Sequence, residues 1–183
     1  MRVIAGLWRG KKLRAPARGT RPTSDRAKET LFNLINVWLY KTGRTLGGLI
    51  FCDVFTGSGA VGIEAMSRGC KTAYFFEKDA AAMDVIRRNI QLIDGATLVL
   101  GDALRPPPTK VPAGIVFMDA PYGQELWVRA LLAFNARGWI DGNTLVIIEI
   151  DKKDPRVPPA GFILLQERGE GRNTFLFLQR SPA

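Results

Sequence analysis

The sequence contains no histidine. That absence removes every Ser–His–Asp or Cys–His nucleophile system and every His-ligated metal site. Cysteine is almost as scarce, with only Cys52 and Cys70, each in apolar or mixed sequence. Two isolated cysteines build neither a zinc site nor a disulfide framework. The chain is therefore expected to work without metal in a reducing intracellular setting, the cytoplasm. No apolar run approaches the roughly 18 residues a membrane span needs, so no membrane partner is expected. Internal repeats and low-complexity tracts are also missing.

What is present is one domain's worth of chain. At 183 residues it matches the usual prior of roughly 100–200 residues per domain. A domain of this size buries roughly 70% of its unfolded surface and needs no staples. The net charge of +9 is unevenly spread. Residues 1–46 carry eleven Lys/Arg against Asp25 and Glu29, whereas residues 47–183 carry 15 basic and 15 acidic side chains. The whole excess thus lies on a basic front end before a neutral body. Clustered positive charge is the footprint of a polyanion partner, most often nucleic acid. The bland alternative is a solvated, solubilising arm. A transit peptide fits poorly, because no serine precedes Ser24 and the stretch runs straight into a helix.

The front begins with two short apolar runs about glycines, within Arg2–Arg14, which predict a small hairpin or arm. A helical period follows in Ala27, Leu31, Leu34, Ile35 and Trp38. Thr23 is the expected N-cap, Asp25 suits the positive end of the helix dipole, and Gly43 with Gly47-Gly48 ends the helix. From residue 49 the chain alternates. Apolar runs at 49–53, 73–77, 97–100, 115–118 and 144–150 read as strands. Between them, 60–68, the period Met83, Ile86, Ile90, Ile93, and 124–137 read as helices. Continuous apolar strands joined by helices imply a parallel sheet covered on both faces. Two final strands, 162–166 and 174–179, joined by about seven residues, form a terminal hairpin that adds an antiparallel strand. The expected fold is α/β, five parallel strands plus a hairpin.

Ligands of open α/β sheets bind at the carboxyl ends of the strands. Four of those ends carry acids: Asp53, Glu77, Asp102 and Asp119. Gly57-Ser-Gly-Ala-Val-Gly62 follows the first strand, opens a helix, and has Glu77 eighteen residues after Gly59. That context suits an adenosine ribose, whose hydroxyls a carboxylate can accept. Asp53, with Phe55 and Thr56 leading into Gly57, separates two candidate ligands. A carboxylate there would repel a dinucleotide's pyrophosphate, which needs the helix N-terminus. It suits the ammonium and sulfonium of S-adenosylmethionine. Asp102 can accept from an adenine amino group, and Asp119-Ala120-Pro121-Tyr122 offers acceptors and an aromatic face where a reactive methyl would lie.

These segments resemble the RsmD-type 16S ribosomal RNA guanine-N2 methyltransferases. The resemblance covers Asp53–Gly69, Arg2-Val-Ile-Ala-Gly and Trp8-Arg-Gly-Lys at the front, and Arg21-Pro-Thr-Ser-Asp-Arg26 with Glu29-Thr-Leu-Phe-Asn33. It extends to Phe76-Glu-Lys-Asp79 and Gly101-Asp-Ala103, and so to nearly the whole chain. It implies a Rossmann-like, class I methyltransferase fold with a seven-stranded, mostly parallel sheet whose last strand is antiparallel. Residues 1–46 become a basic RNA-docking extension of hairpin and helix, and residues 47–183 the methyltransferase domain. The implied cofactor is S-adenosylmethionine, held by Asp53, Phe55, Thr56, Gly57, Ser58, Gly59, Glu77, Lys78, Asp102, Ala103 and Asp119. The implied partner is ribosomal RNA or the small-subunit particle, met by Arg2, Trp8, Arg9, Lys11, Lys12, Arg14, Arg21 and Arg26 of an expected monomer.

In the implied reaction Asp119 and the Ala120 carbonyl accept the hydrogens of the exocyclic amine, and Tyr122 stacks on a flipped base. The family pattern is Asp-Pro-Pro-Tyr or Asp-Pro-Pro-Phe, so Ala120 is a departure that loosens the site, although Pro121 still biases Ala120 toward an extended shape. Two other readings stand beside this one. One is an amine methyltransferase acting on adenine N6 in DNA or on a protein glutamine, of which the basic front disfavours the protein. The other is an RNA-binding or assembly protein that keeps the pocket but not the turnover.

Overall fold

The computed structural model describes residues 1–16, 23–121, 126–154 and 156–182. The five apolar runs become the strands β1 (Ile50–Val54), β2 (Thr72–Glu77), β3 (Ala96–Leu100), β4 (Ile115–Met118) and β5 (Leu145–Asp151). β1 pairs in parallel with β2 and β4, β2 with β3, and β4 with β5. β6 (Phe162–Glu170) and β7 (Asn173–Arg180) complete a sheet of order β3-β2-β1-β4-β5-β7-β6. Only β7 runs antiparallel, to β5 on one side and β6 on the other. This is the seven-stranded architecture expected from the sequence.

Helices α1 (Asp25–Thr42), α2 (Ala60–Ser67) and α3 (Ala80–Ile90) cover one face of the sheet, and α4 (Leu126–Ala136) the other. Along β1, Phe51 joins the first apolar cluster while Cys52 and Val54 join the second, as the period of two requires. Among the described residues no helix is long and apolar enough to cross a membrane.

Two local expectations are corrected. The N-cap of α1 is Ser24, whose Oγ accepts the Ala27 N–H at 3.0 Å, and not Thr23. Ser24 has the extended backbone a cap needs and sits three residues before the orphan donor. The terminal hairpin has a two-residue connection, Gly171-Arg172, rather than about seven residues. Glu167 and Arg168 lie inside β6 because it is an edge strand, where charged side chains reach water and blunt the open edge, and Glu170 lies there because Arg26 and Thr30 of α1 partner it. The expected start of α4 at Gln124 falls outside the described residues.

The front end folds as the small hairpin expected. Arg2 and Lys12 form an antiparallel bridge, with Val3 and Leu13 buried in the first cluster. This arm is tied to α2 by Glu64, a fully buried carboxylate that accepts the N–H groups of Ile4 at 2.8 Å and Ala5 at 3.0 Å and the Arg68 Nε–H at 2.8 Å. Ser67 adds a second tie, its Oγ accepting the Trp8 N–H at 2.9 Å and donating to the Ala5 carbonyl at 2.6 Å. Gly6 is required between them. A Cβ there would lie 1.8 Å from the Ser67 carbonyl oxygen, and its φ of +79° disfavours other residues. Lys28 of α1, also fully buried, donates to the Arg2 carbonyl and lies 3.4 Å from Asp25.

Candidate active site

The carboxyl ends of β1, β2 and β4 open into a cavity of about 380 Å³. Of the expected site residues, Asp53, Phe55, Thr56, Gly57, Ser58, Glu77, Lys78, Ala103, Asp119, Ala120 and Pro121 line it. Gly59 and Asp102 do not. Tyr122 lies outside the described residues.

Asp53 is buried at the end of β1, beneath the first turn of α2. Its Oδ2 accepts the Gly62 N–H at 2.8 Å. That approach needs glycine, because a Cβ on Gly62 would lie 2.4 Å from the Phe75 ring and 3.1 Å from the Asp53 Cβ. Burial pushes the Asp53 carboxyl up to about 7, opposed by the Gly62 N–H and the Thr56 hydroxyl and assisted by the Glu77 charge. The carboxylate also lies beside the N-terminus of α2, where its charge would oppose a pyrophosphate. Phe55, at φ +62°, carries the chain from β1 into the glycine loop in a backbone shape that only its surroundings sustain.

Glu77 sits at the end of β2 and organises the loops around it. Its Oε2 accepts the Gly57 N–H at 3.0 Å, and its Oε1 accepts those of Lys78 at 2.9 Å and Asp79 at 3.0 Å. The glycine loop is thus docked on the very carboxylate that the spacing assigned to a ribose. A carboxylate has about four acceptor sites, so one remains for a ligand hydroxyl.

Asp119 is half-buried beyond β4, its N–H on the Val54 carbonyl at 3.3 Å. Its carboxyl is held well above the usual range, first by burial, then by the charges of Glu149 and Asp53. Glu149 was not anticipated. It is a buried acid on β5 whose carboxylate accepts from the Asn173 amide. The signal was present, because Glu149 interrupts the apolar run Val146-Ile-Ile-Glu-Ile150. Met1 and Thr23 also reach the cavity, with no sequence signal to place them there.

Asp102 is exposed between the cavity-lining Gly101 and Ala103, and its Oδ1 accepts the Leu104 N–H at 3.0 Å. In the basic front, Arg9, Lys11, Lys12 and Arg14 are exposed. Lys11 Nζ lies 5.7 Å from the centroid of the half-buried Trp8 ring. Arg2 pairs with Asp25 at 2.9 Å and Arg26 with Glu170 at 3.1 Å. Arg21 lies outside the described residues.

The cavity therefore combines a glycine loop, a carboxylate with spare acceptor capacity and two carboxyls that a cation would draw into the ionised form. It fits a ligand that is cationic at one end and hydroxyl-bearing at the other.

The chain matches the family described as conserved hypothetical protein 95 over residues 1–179. It is 33% identical to the ribosomal RNA small subunit methyltransferase D of Haemophilus influenzae, across 93% of this chain and 89% of that protein. It is equally 33% identical to the protein of that name from Escherichia coli K12, across 98% and 90%. Among solved structures, the Escherichia coli protein yhhF, described as a methyltransferase, superposes with a TM-score of 0.81 at 31% identity, across 100% of this chain and 99% of that one.

Proposed function

The chain belongs to the RsmD family of small-subunit ribosomal RNA methyltransferases, and from that premise we propose that it methylates the exocyclic N2 amine of a guanine in 16S ribosomal RNA, using S-adenosylmethionine. The observation that carries this reading is the meeting of Asp53, Glu77 and Asp119-Ala120-Pro121 around one cavity, on a body whose front end presents the basic arm.

The bound cofactor supplies an electrophilic methyl on a sulfonium. Everything else falls to the residues of this chain. Glu77 accepts a ribose hydroxyl with its remaining lone pair while keeping the glycine loop docked. Asp53 faces the cationic end, and a positive charge there brings its pKa down from about 7, so the carboxyl ionises as the ligand enters. The guanine amine is a weak nucleophile because its lone pair is delocalised into the ring. Asp119 and the Ala120 carbonyl accept its two hydrogens and aim the nitrogen at the methyl. Once methylated, the nitrogen would be cationic and would release a proton to the Asp119 carboxylate. The raised pKa of that carboxyl makes it a competent acceptor. Tyr122, by its place in the tetrapeptide, is the ring on which the flipped base stacks, returning roughly 1–3 kcal/mol of the extrusion cost. Most of the acceleration then comes from alignment.

The test is transfer of a radiolabelled methyl to methylation-deficient 30S particles, with the modified nucleoside identified by mass spectrometry. N2-methylguanosine is the expected product. N6-methyladenosine would move the substrate to the alternative amine, and cofactor binding without transfer would leave an RNA-binding protein with an idle pocket.

A further inference from the structure

One buried side chain joins the basic arm to the glycine loop, and no role above uses it. Asn89 projects from α3 and is 4% exposed. Its Oδ1 accepts the Arg14 N–H at 3.0 Å, and its Nδ2 donates to the Arg14 carbonyl at 3.0 Å. The amide thereby pairs with both main-chain groups of a single arm residue. The same Nδ2 donates to the Ser58 carbonyl at 2.9 Å. An amide nitrogen carries two hydrogens, so both donations are made at once. A second tie lies alongside, from the Ser58 hydroxyl to the Met1 Sδ at 3.3 Å. Met1 and Arg14 both belong to the base of the arm, where the Leu13 N–H donates to the Met1 carbonyl at 3.1 Å. So the arm's base rests on Ser58, between Gly57 and Gly59, while its tip is held separately on α2 by Ser67.

We infer that Asn89 is a positioning residue that couples RNA docking on the arm to cofactor binding at the glycine loop. The inference rests on the reading that the cavity takes S-adenosylmethionine and the arm takes RNA. Its physical basis is the expense of an unmade hydrogen bond in a buried place. If the arm shifts, Asn89 cannot keep Arg14 and Ser58 together. If Ser58 shifts, the pairing with Arg14 is lost. Whichever ligand orders its own side first has ordered the other, so the second binds more tightly. Such coupling is reciprocal by thermodynamic necessity.

The experiment measures binding of deproteinised 16S ribosomal RNA with and without saturating S-adenosylhomocysteine. In the wild-type protein the analogue should tighten RNA binding by about 5-fold or more, the lower end of ordinary couplings, and RNA should tighten the analogue equally. Asn89→Ala should bring that factor to about 1. Ser67→Ala, which removes the side-chain tie of the arm's tip without touching Ser58, should weaken RNA binding and keep the factor. A wild-type factor of 1 overturns the coupling. An unchanged factor in Asn89→Ala, or its loss in Ser67→Ala as well, overturns the role of Asn89. Should Asn89→Ala fail to fold, exchange of the Arg14 amide in the wild-type protein decides the matter. Exchange slowed by the analogue supports the coupling, and an unchanged rate overturns it. A wild-type protein that binds neither RNA nor analogue would instead overturn the functional reading beneath it.

Discussion

Arg9, Lys11, Lys12 and Arg14 stand in water on the arm, whereas Asp53 lies buried beneath α2 and Asp119 half-buried beside it. Water screens the first set, so each cation is worth little alone and the group acts as a sum that salt weakens. The carboxyls lie close enough for the Asp53 charge to raise Asp119, and a change in the protonation of either is worth about 1.4 kcal/mol per pKa unit. The lesson is that the front end tolerates the loss of one charge and the cavity does not. The front end as a whole is also less cationic in practice than in composition. Lys28 is buried, and Arg2 and Arg26 are paired with acids.

The contrast breaks most sharply at Asp119. Asp119→Ala should lower methyl transfer by about 10²–10⁴-fold, the ordinary range for a lost acid–base group. Cofactor affinity should stay within a few-fold, as for an interaction used mainly in the transition state. Single-turnover rates beside calorimetry test this, and a parallel collapse of cofactor affinity would reassign Asp119. Next comes Glu77→Ala, expected to weaken S-adenosylmethionine binding by about 1.5–3 kcal/mol, the value of hydrogen bonds to a charged group. It also strips an acceptor from Gly57, Lys78 and Asp79, so Glu77→Gln should be milder. Unchanged affinity would remove Glu77 from the site.

Asp53 gives the third effect. Below its pKa of about 7 the carboxyl is protonated, and a cationic ligand prefers it ionised. Cofactor affinity should therefore rise by up to about tenfold per pH unit below pH 7 and level off above it. Stability of the ligand-free protein runs the other way. The folded pKa lies above the ordinary aspartate value of about 3.8, so Asp53 favours folding at low pH and that contribution is lost as pH rises through about 7. Asp53→Asn should flatten both profiles, and an affinity already flat from about pH 6 to 8 would separate Asp53 from any positive charge. The smallest effect belongs to the arm. Replacing Arg9, Lys11 and Lys12 with alanine should reduce the slope of log RNA affinity against log salt by about two, at roughly 0.7 per phosphate contact. Cofactor affinity without RNA should not change. A wild-type slope would leave the arm's charge without a docking role.

Most of the sheet was legible because buried parallel strands are continuously apolar and their glycine and acid punctuation is local. The terminal hairpin was legible in kind but not in length, since edge position and not residue type lets Glu167 and Arg168 remain in a strand. At the site, Asp53, Glu77 and Asp119 were readable from their places at strand ends. Asp102 shared that place, but its carboxylate found the Leu104 N–H two residues on. Asn89 resisted reading for another reason. Its partners, Arg14 and Ser58, lie far along the chain, and no spacing rule encodes such meetings.

The placement of β7 has a consequence for biosynthesis. β5 finds its second neighbour only in β7, the last strand to be made, although β6 leaves the ribosome earlier and takes the outer edge. Until residues 173–180 emerge, β5 therefore offers an open ladder that is apolar through Val146, Ile147 and Ile148 before Glu149 interrupts it. Nascent chains stalled between β5 and β7 should be the species most prone to edge-to-edge association and most dependent on chaperones. The arm, α2 and the glycine loop, all made long before, can be in place by then.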